Sequence, residues 1–129
     1  VIILKRDLDL IRNILLETEA VPSNTLTIYN ISDKYNVNPN LVAYQLDLLV
    51  DQDLLKMRGL TIVWTYKTRK YDTKRIDRLT MEGHSYLDAI RNDAVWNKTL
   101  IKLSSIGTSA SFEIVKTIAT GYLKSMLGI

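Results

Sequence analysis

The chain has 129 residues, a net charge of +3, 47% apolar and 24% charged side chains, a composition that suits one globular domain and excludes a disordered chain. Cysteine is absent, which excludes disulfides, cysteine metal sites and cysteine nucleophiles. Apolar runs such as Leu48 to Val50 fall far below the roughly 18 residues that span a bilayer, and no signal-peptide pattern opens the chain, so a cytoplasmic protein without membrane contact is expected.

In chain order, "LKRDLDLIRNILLETEA" sets Leu4, Leu8, Ile11 and Leu15 at helical spacing, with Leu10 and Ile14 widening the stripe. The spacing predicts an amphipathic helix ending near Val21-Pro22. "SNTLTI" has the Thr and aliphatic content of a short edge strand. Ile31 and Tyr35 then form an i, i+4 pair for a short helix, with Asn36 able to end it in the left-handed conformation. Asn38 is a good N-cap, followed by Pro39 at the first helical position. The next helix is expected to bury Val42, Leu46 and Leu49, and to turn Asn40, Ala43, Asp47 and Asp51 outward. Two helices joined by a tight turn make a helix-turn-helix that presents the N-terminal residues of its second helix.

Beyond it, Leu60, Ile62, Trp64 and Tyr66 alternate with Thr61, Val63, Thr65 and Lys67, as in a half-buried strand. A turn around residues 68–73 and a returning strand near Arg75 to Leu79 complete a hairpin. Residues 56–78 hold eight basic side chains against Asp72 and Asp77, so they sum to +6, and the other 106 residues sum to −3. Attraction for a polyanion is thus concentrated in one segment; the plainer reading is a solvated edge blunted by lysines. Thr80 can cap a further helix, with Glu82 in its first turn, and Gly83 leaves room for close backbone approach. Asn92-Asp93 interrupts before a helix with Trp96, Leu100 and Leu103 that Gly107 ends. The last helix, from about Ser111 to Leu127, carries Phe112, Val115, Ala119, Tyr122 and Met126 on one stripe. That stripe needs cover from the first helix or from a second copy, and a homodimer is expected.

The order of elements is that of an α+β, mainly helical fold: a winged helix-turn-helix with additional C-terminal helices. Within residues 1–129 as a single domain, residues 1–80 form the core, with the wing at about 60–79, and residues 81–129 a helical extension. "NISDKYNVNPNLVAYQLDLLVDQDLL" resembles the bacterial winged-helix pattern, with Asp53 where that pattern usually has Gly, a place Asp tolerates. "RLTMEGHSYLD" resembles the Leu-Thr-x-x-Gly segment that leaves the wing in many such domains. Over almost the whole chain, "LKRDLDLIRNILLETE", "LTMEGHSYLDAIRNDAVWNK" and "YLKSMLG" resemble domain-of-unknown-function family 2513 of bacteria and their phages. The resemblance implies a fold and a prokaryotic or prophage origin, and no activity.

One His, no Cys and no Gly-rich phosphate loop leave no nucleophile–His or multi-His metal constellation within one chain, so neither an enzyme, a cofactor nor a metal is expected. His84 with Glu82 and Asp88 reads as helix surface rather than a metal site, and Trp64 and Trp96 as core rather than base-stacking platforms. The candidate contacts to double-stranded DNA are Asn38, Asn40, Tyr44 and Gln45 on the second helix of the motif, and Lys67, Arg69, Lys70, Lys74 and Arg75 on the hairpin. Asn40 and Gln45 have the amide chemistry that reads adenine edges, whereas Asp47 and Asp51 oppose phosphate approach. The alternative is a protein-interaction module in which the acidic row or the last helix meets a partner.

Overall fold

The computed structural model describes residues 4–58, 75–107 and 110–129. Mainly helical, these residues form six helices and one two-stranded sheet: α1 (Leu8–Ala20), α2 (Ile28–Tyr35), α3 (Pro39–Asp51), β1 (Leu55–Arg58), β2 (Arg75–Leu79), α4 (Met81–Ile90), α5 (Asp93–Ile106) and α6 (Phe112–Leu127). The chain divides into two compact units, Val1–Gly83 and His84–Ile129, the division falling within α4. No helix among the described residues is long and apolar enough to cross a membrane.

In the first unit, Asp7 rather than Leu4 marks the start of α1, because its carboxylate accepts from the Leu10 N–H at 3.0 Å while its own backbone is still extended. The buried face is Leu10, Ile11, Ile14, Leu15 and Thr18, each large aliphatic contributing about 1.5–3 kcal/mol by leaving water. The expected edge strand at "SNTLTI" is reduced to a single bridge, in which the Ile76 N–H donates to the Leu26 carbonyl at 2.8 Å. Thr27 is instead the N-cap of α2, in a reciprocal box: its Oγ1 accepts from the Asn30 N–H at 3.0 Å, and Asn30 Oδ1 accepts from the Thr27 N–H at 2.9 Å.

Asn36 ends α2 with φ 53°, in the left-handed conformation expected of it. Asn38 caps α3 through a 2.8 Å bond from the Asn40 N–H, with Pro39 beginning the helix. Val42, Leu46 and Leu49 are buried as expected, but so are Asn40, Ala43 and Gln45. The outward row is therefore only Asp47 and Asp51, joined by Val50. The reason is that α3 has neighbours on several sides, packing with α1, α2 and β1.

At the end of α3, Asp53 takes φ 56°. The next residue meets the start of α4: the Thr80 N–H donates to the Leu54 carbonyl at 3.1 Å, Thr80 Oγ1 donates to the Asp53 carbonyl at 2.5 Å, and the Gly83 N–H donates to Thr80 Oγ1 at 3.0 Å.

Glu17 of α1 accepts from Lys34 Nζ at 2.5 Å and from the Tyr35 hydroxyl at 2.7 Å, tying α1 to α2. The Lys34 bond first, then the Tyr35 bond, hold the Glu17 carboxyl below its ordinary 4.5, while burial and then the bond to Glu17 push the Tyr35 phenol up to about 12. A depressed carboxyl stabilises the fold above its unfolded value and loses that contribution as pH falls through the folded one. Replacing Glu17 by Gln is expected to cost no more than about 1 kcal/mol at neutral pH, since Lys34 is exposed. Urea midpoints taken from about pH 6 down to 3 should converge with wild type on the acid side. For Tyr35 the sign is reversed: its contribution is whole below pH 10 and fades as pH rises through about 12.

In the second unit, Asn92 caps α5 and Gly107 closes it at φ 73°, while Ser111 caps α6. The core includes Tyr86, Leu87, Ile90, Val95, Trp96, Leu103, Phe112, Val115 and Ala119. Trp96 is core, as expected. The α6 stripe packs against α5, with Tyr86 edge-on to Phe112 at a ring separation of 5.3 Å and 77°. Cover for Phe112, Val115 and Ala119 thus comes from elements of the second unit, while Tyr122 is half-buried and Met126 exposed.

Candidate nucleic-acid interface

The two strands are antiparallel, and their register sets Leu55 opposite Leu79, Lys56 opposite Arg78, Met57 opposite Ile76 and Arg58 opposite Arg75, with an irregularity between Lys56 and Met57. Alternation puts Leu55, Met57, Ile76 and Leu79 on the face toward the core. Lys56, Arg58, Arg75 and Arg78 share the other face, Arg75 half-buried and the other three exposed. Each outward pair joins two cations. Like charges directly opposite one another destabilise a sheet, each pair by roughly 0.2–1 kcal/mol.

Among the described residues, carboxylates lie near Lys56 and Arg58. Asp77, at the irregularity and mostly buried, lies 3.6 Å from Arg58 and accepts from the Ser23 hydroxyl at 2.5 Å. Asp53 is 3.9 Å from Lys56, both well exposed. Arg78 donates to the carbonyl of Leu79 at 3.2 Å.

Of the residues expected to touch DNA, Arg75 lies in this cationic face, whereas Lys67, Arg69, Lys70 and Lys74 lie outside the described residues, as do the expected strand at 60–66 and Trp64. The strand that pairs with β2 begins at Leu55, before that expected segment. On α3, Asn38 is exposed at the first turn and Tyr44 half-buried. Gln45 and Asn40 require correction. Gln45 is fully buried, its Oε1 accepting from the Asp7 N–H at 2.9 Å and its Nε2 donating to the Lys5 carbonyl at 2.7 Å. Asn40 is only 3% exposed. Neither amide faces a groove, because both sit on the side of α3 that packs inward.

Lys56, Arg58 and Arg78 belong to the basic segment 56–78 but not to the candidate contacts drawn from the sequence, although "LKMR" and "RIDRL" already alternate charged and apolar residues as a half-buried strand does. His84, Glu82 and Asp88 are all exposed. Asp88 pairs with Arg91 at 3.0 Å, and no cluster of three potential metal-ligating side chains occurs among the described residues.

The profile of a family described as "Hypothetical protein (DUF2513)" matches residues 5–109, a span that covers nearly all of the first unit and reaches into the second. The chain belongs to this family, the one its sequence resembles. It is similar to an uncharacterized protein of Haemophilus influenzae, 30% identical over 125 residues, which is 96% of this chain and 99% of that relative. No solved structure matches it.

Proposed function

We propose that this chain is a winged helix-turn-helix protein of prokaryotic or prophage origin that binds duplex DNA through phosphate contacts from its hairpin, in a regulatory role. The observation that carries the reading is the outward face of β1 and β2, where Lys56 meets Arg78 and Arg58 meets Arg75. Such an arrangement opposes folding locally and fits a surface completed by a polyanion. On α3, the burial of Asn40 and Gln45 leaves Asn38 and Tyr44 as the expected contacts, beside the exposed Asp47 and Asp51. Binding in this reading follows the backbone and discriminates little between sequences. The homodimer expected from the α6 stripe is not needed for it, because the first half of that stripe is already covered.

The test is a fluorescence-anisotropy titration with random-sequence duplex at several salt concentrations. The four hairpin cations should contribute about −3.6 to the slope of log K against log salt. Absence of binding at low salt would remove the DNA reading. A second reading, a protein-interaction module, rests on Val50, 43% exposed between Asp47 and Asp51. Changing both aspartates to Asn separates the two: duplex binding should hold or tighten as repulsion is relieved, whereas a protein contact through this row would weaken.

A further inference from the structure

The chain spends a fully buried polar side chain, Gln45, on two backbone groups far away in sequence. A buried amide is costly unless its hydrogen bonds are made, and an apolar residue of similar volume would fill this side of α3 without that demand. Its two bonds have a definite pattern: one to the carbonyl of Lys5 and one to the N–H of Asp7, bracketing Arg6. A neighbouring parallel strand bonds an extended segment in the same way. The Gln45 side chain therefore stands in for one residue of such a strand and fixes residues 5–7 against α3.

The fixed segment forms one wall of an open groove of about 530 Å³, lined by Lys5, Arg6, Asp7, Leu8, Asp9 and Leu41. Leu41 lies in the first turn of α3, so the segment runs beside the end of the helix where Asn38 is exposed. The Asp7 carboxylate is occupied as the α1 cap. Lys5 is exposed.

We infer that Gln45 is a positioning residue that holds residues 5–7 as a fixed arm, and that Lys5 on this arm is a further phosphate contact beside the start of α3. This rests on the duplex-binding reading above and adds a contact outside the hairpin. Gln45 touches no DNA; it sets where Lys5 is presented, and without it the arm samples many positions and the contact is lost to conformational entropy.

The experiment is a double-mutant cycle on the full chain, read by duplex anisotropy against salt. Lys5→Ala should weaken binding and make the slope shallower by about 0.9. Gln45→Met should reproduce that loss of slope, and in the double variant the two changes should not add, because both remove the same contact. An unchanged slope in Lys5→Ala, with wild type binding normally, overturns the arm and leaves the hairpin reading standing. Failure of wild type to bind duplex overturns both. Additive losses overturn the positioning role of Gln45. If circular dichroism shows that Gln45→Met does not fold, Lys5→Ala and the charge reversal Lys5→Glu decide alone, the reversal being expected to lose more affinity than the truncation. Inorganic phosphate titrated at fixed ionic strength distinguishes the source of the anion: saturable, Lys5-dependent binding of phosphate alone would make the groove a free-anion site and overturn the assignment to a duplex.

Discussion

Replacing Lys56, Arg58, Arg75 and Arg78 together by Gln is expected to remove most duplex binding while leaving the protein at least as stable as wild type. The two effects have one cause. In the free protein these cations stand opposite one another across the hairpin, an arrangement that weakens the sheet; in the proposed complex each would replace condensed counterions of the DNA and gain from their release. Between about 50 and 200 mM salt, four such contacts amount to about a hundredfold loss of affinity, which wild type should show and the variant should largely lack. The urea midpoint should stay or rise. A variant that kept the wild-type salt dependence would dismiss the cationic face as the phosphate contact, and one that unfolded would mean that these side chains support the hairpin through their aliphatic stems.

Gly83→Ala should be strongly damaging for a change that adds a single methyl group. A Cβ built there would stand 1.9 Å from the Leu54 carbonyl oxygen and 2.9 Å from its carbon, and that carbonyl is already engaged by the Thr80 N–H. Backbone atoms have no rotamer to change, so relief requires moving the first turn of α4 away from the end of α3, breaking the Thr80 contacts. Overpacking costs about 1–3 kcal/mol, occasionally more, and here the upper end is expected. Gly121→Ala is the control. A Cβ at that position meets nothing within 4 Å, and Ala in a helix interior is favoured over Gly by roughly 0.5–1 kcal/mol. Thermal melts of the two variants should therefore move in opposite directions, and equal shifts would contradict the close approach at Gly83.

What could be foreseen from the residues was mostly local. Asn36, Asn38-Pro39, Thr80 and Gly107 end or begin helices through chemistry contained within a few residues, and all four stand where the sequence places them. The resemblance to the winged-helix pattern points to the left-handed Asp53, and Gly83 signals a close approach without naming its distant partner, Leu54. Thr27 was misread because a Thr-rich aliphatic run suits both an edge strand and a capping box, and the choice depends on Asn30. Gln45 was misread because its partners, Lys5 and Asp7, are 40 and 38 positions away, a distance at which helical periodicity carries no information. Once α3 is enclosed by neighbours, spacing alone no longer separates an outward amide from an inward one.

The junction of Asp53 and Leu54 with Thr80 and Gly83 has a consequence for how the protein tolerates change in length. Its hydrogen bonds hold the two feet of the hairpin, Leu55 and Leu79, at a fixed separation next to the α4 cap. The two strand ends are thereby joined by contacts that lie wholly outside the segment between Arg58 and Arg75. Insertions or deletions between Arg58 and Arg75 would then leave α3, α4 and the cationic pairs in place. The anchorage of the two strands is thus independent of the length of chain that connects them.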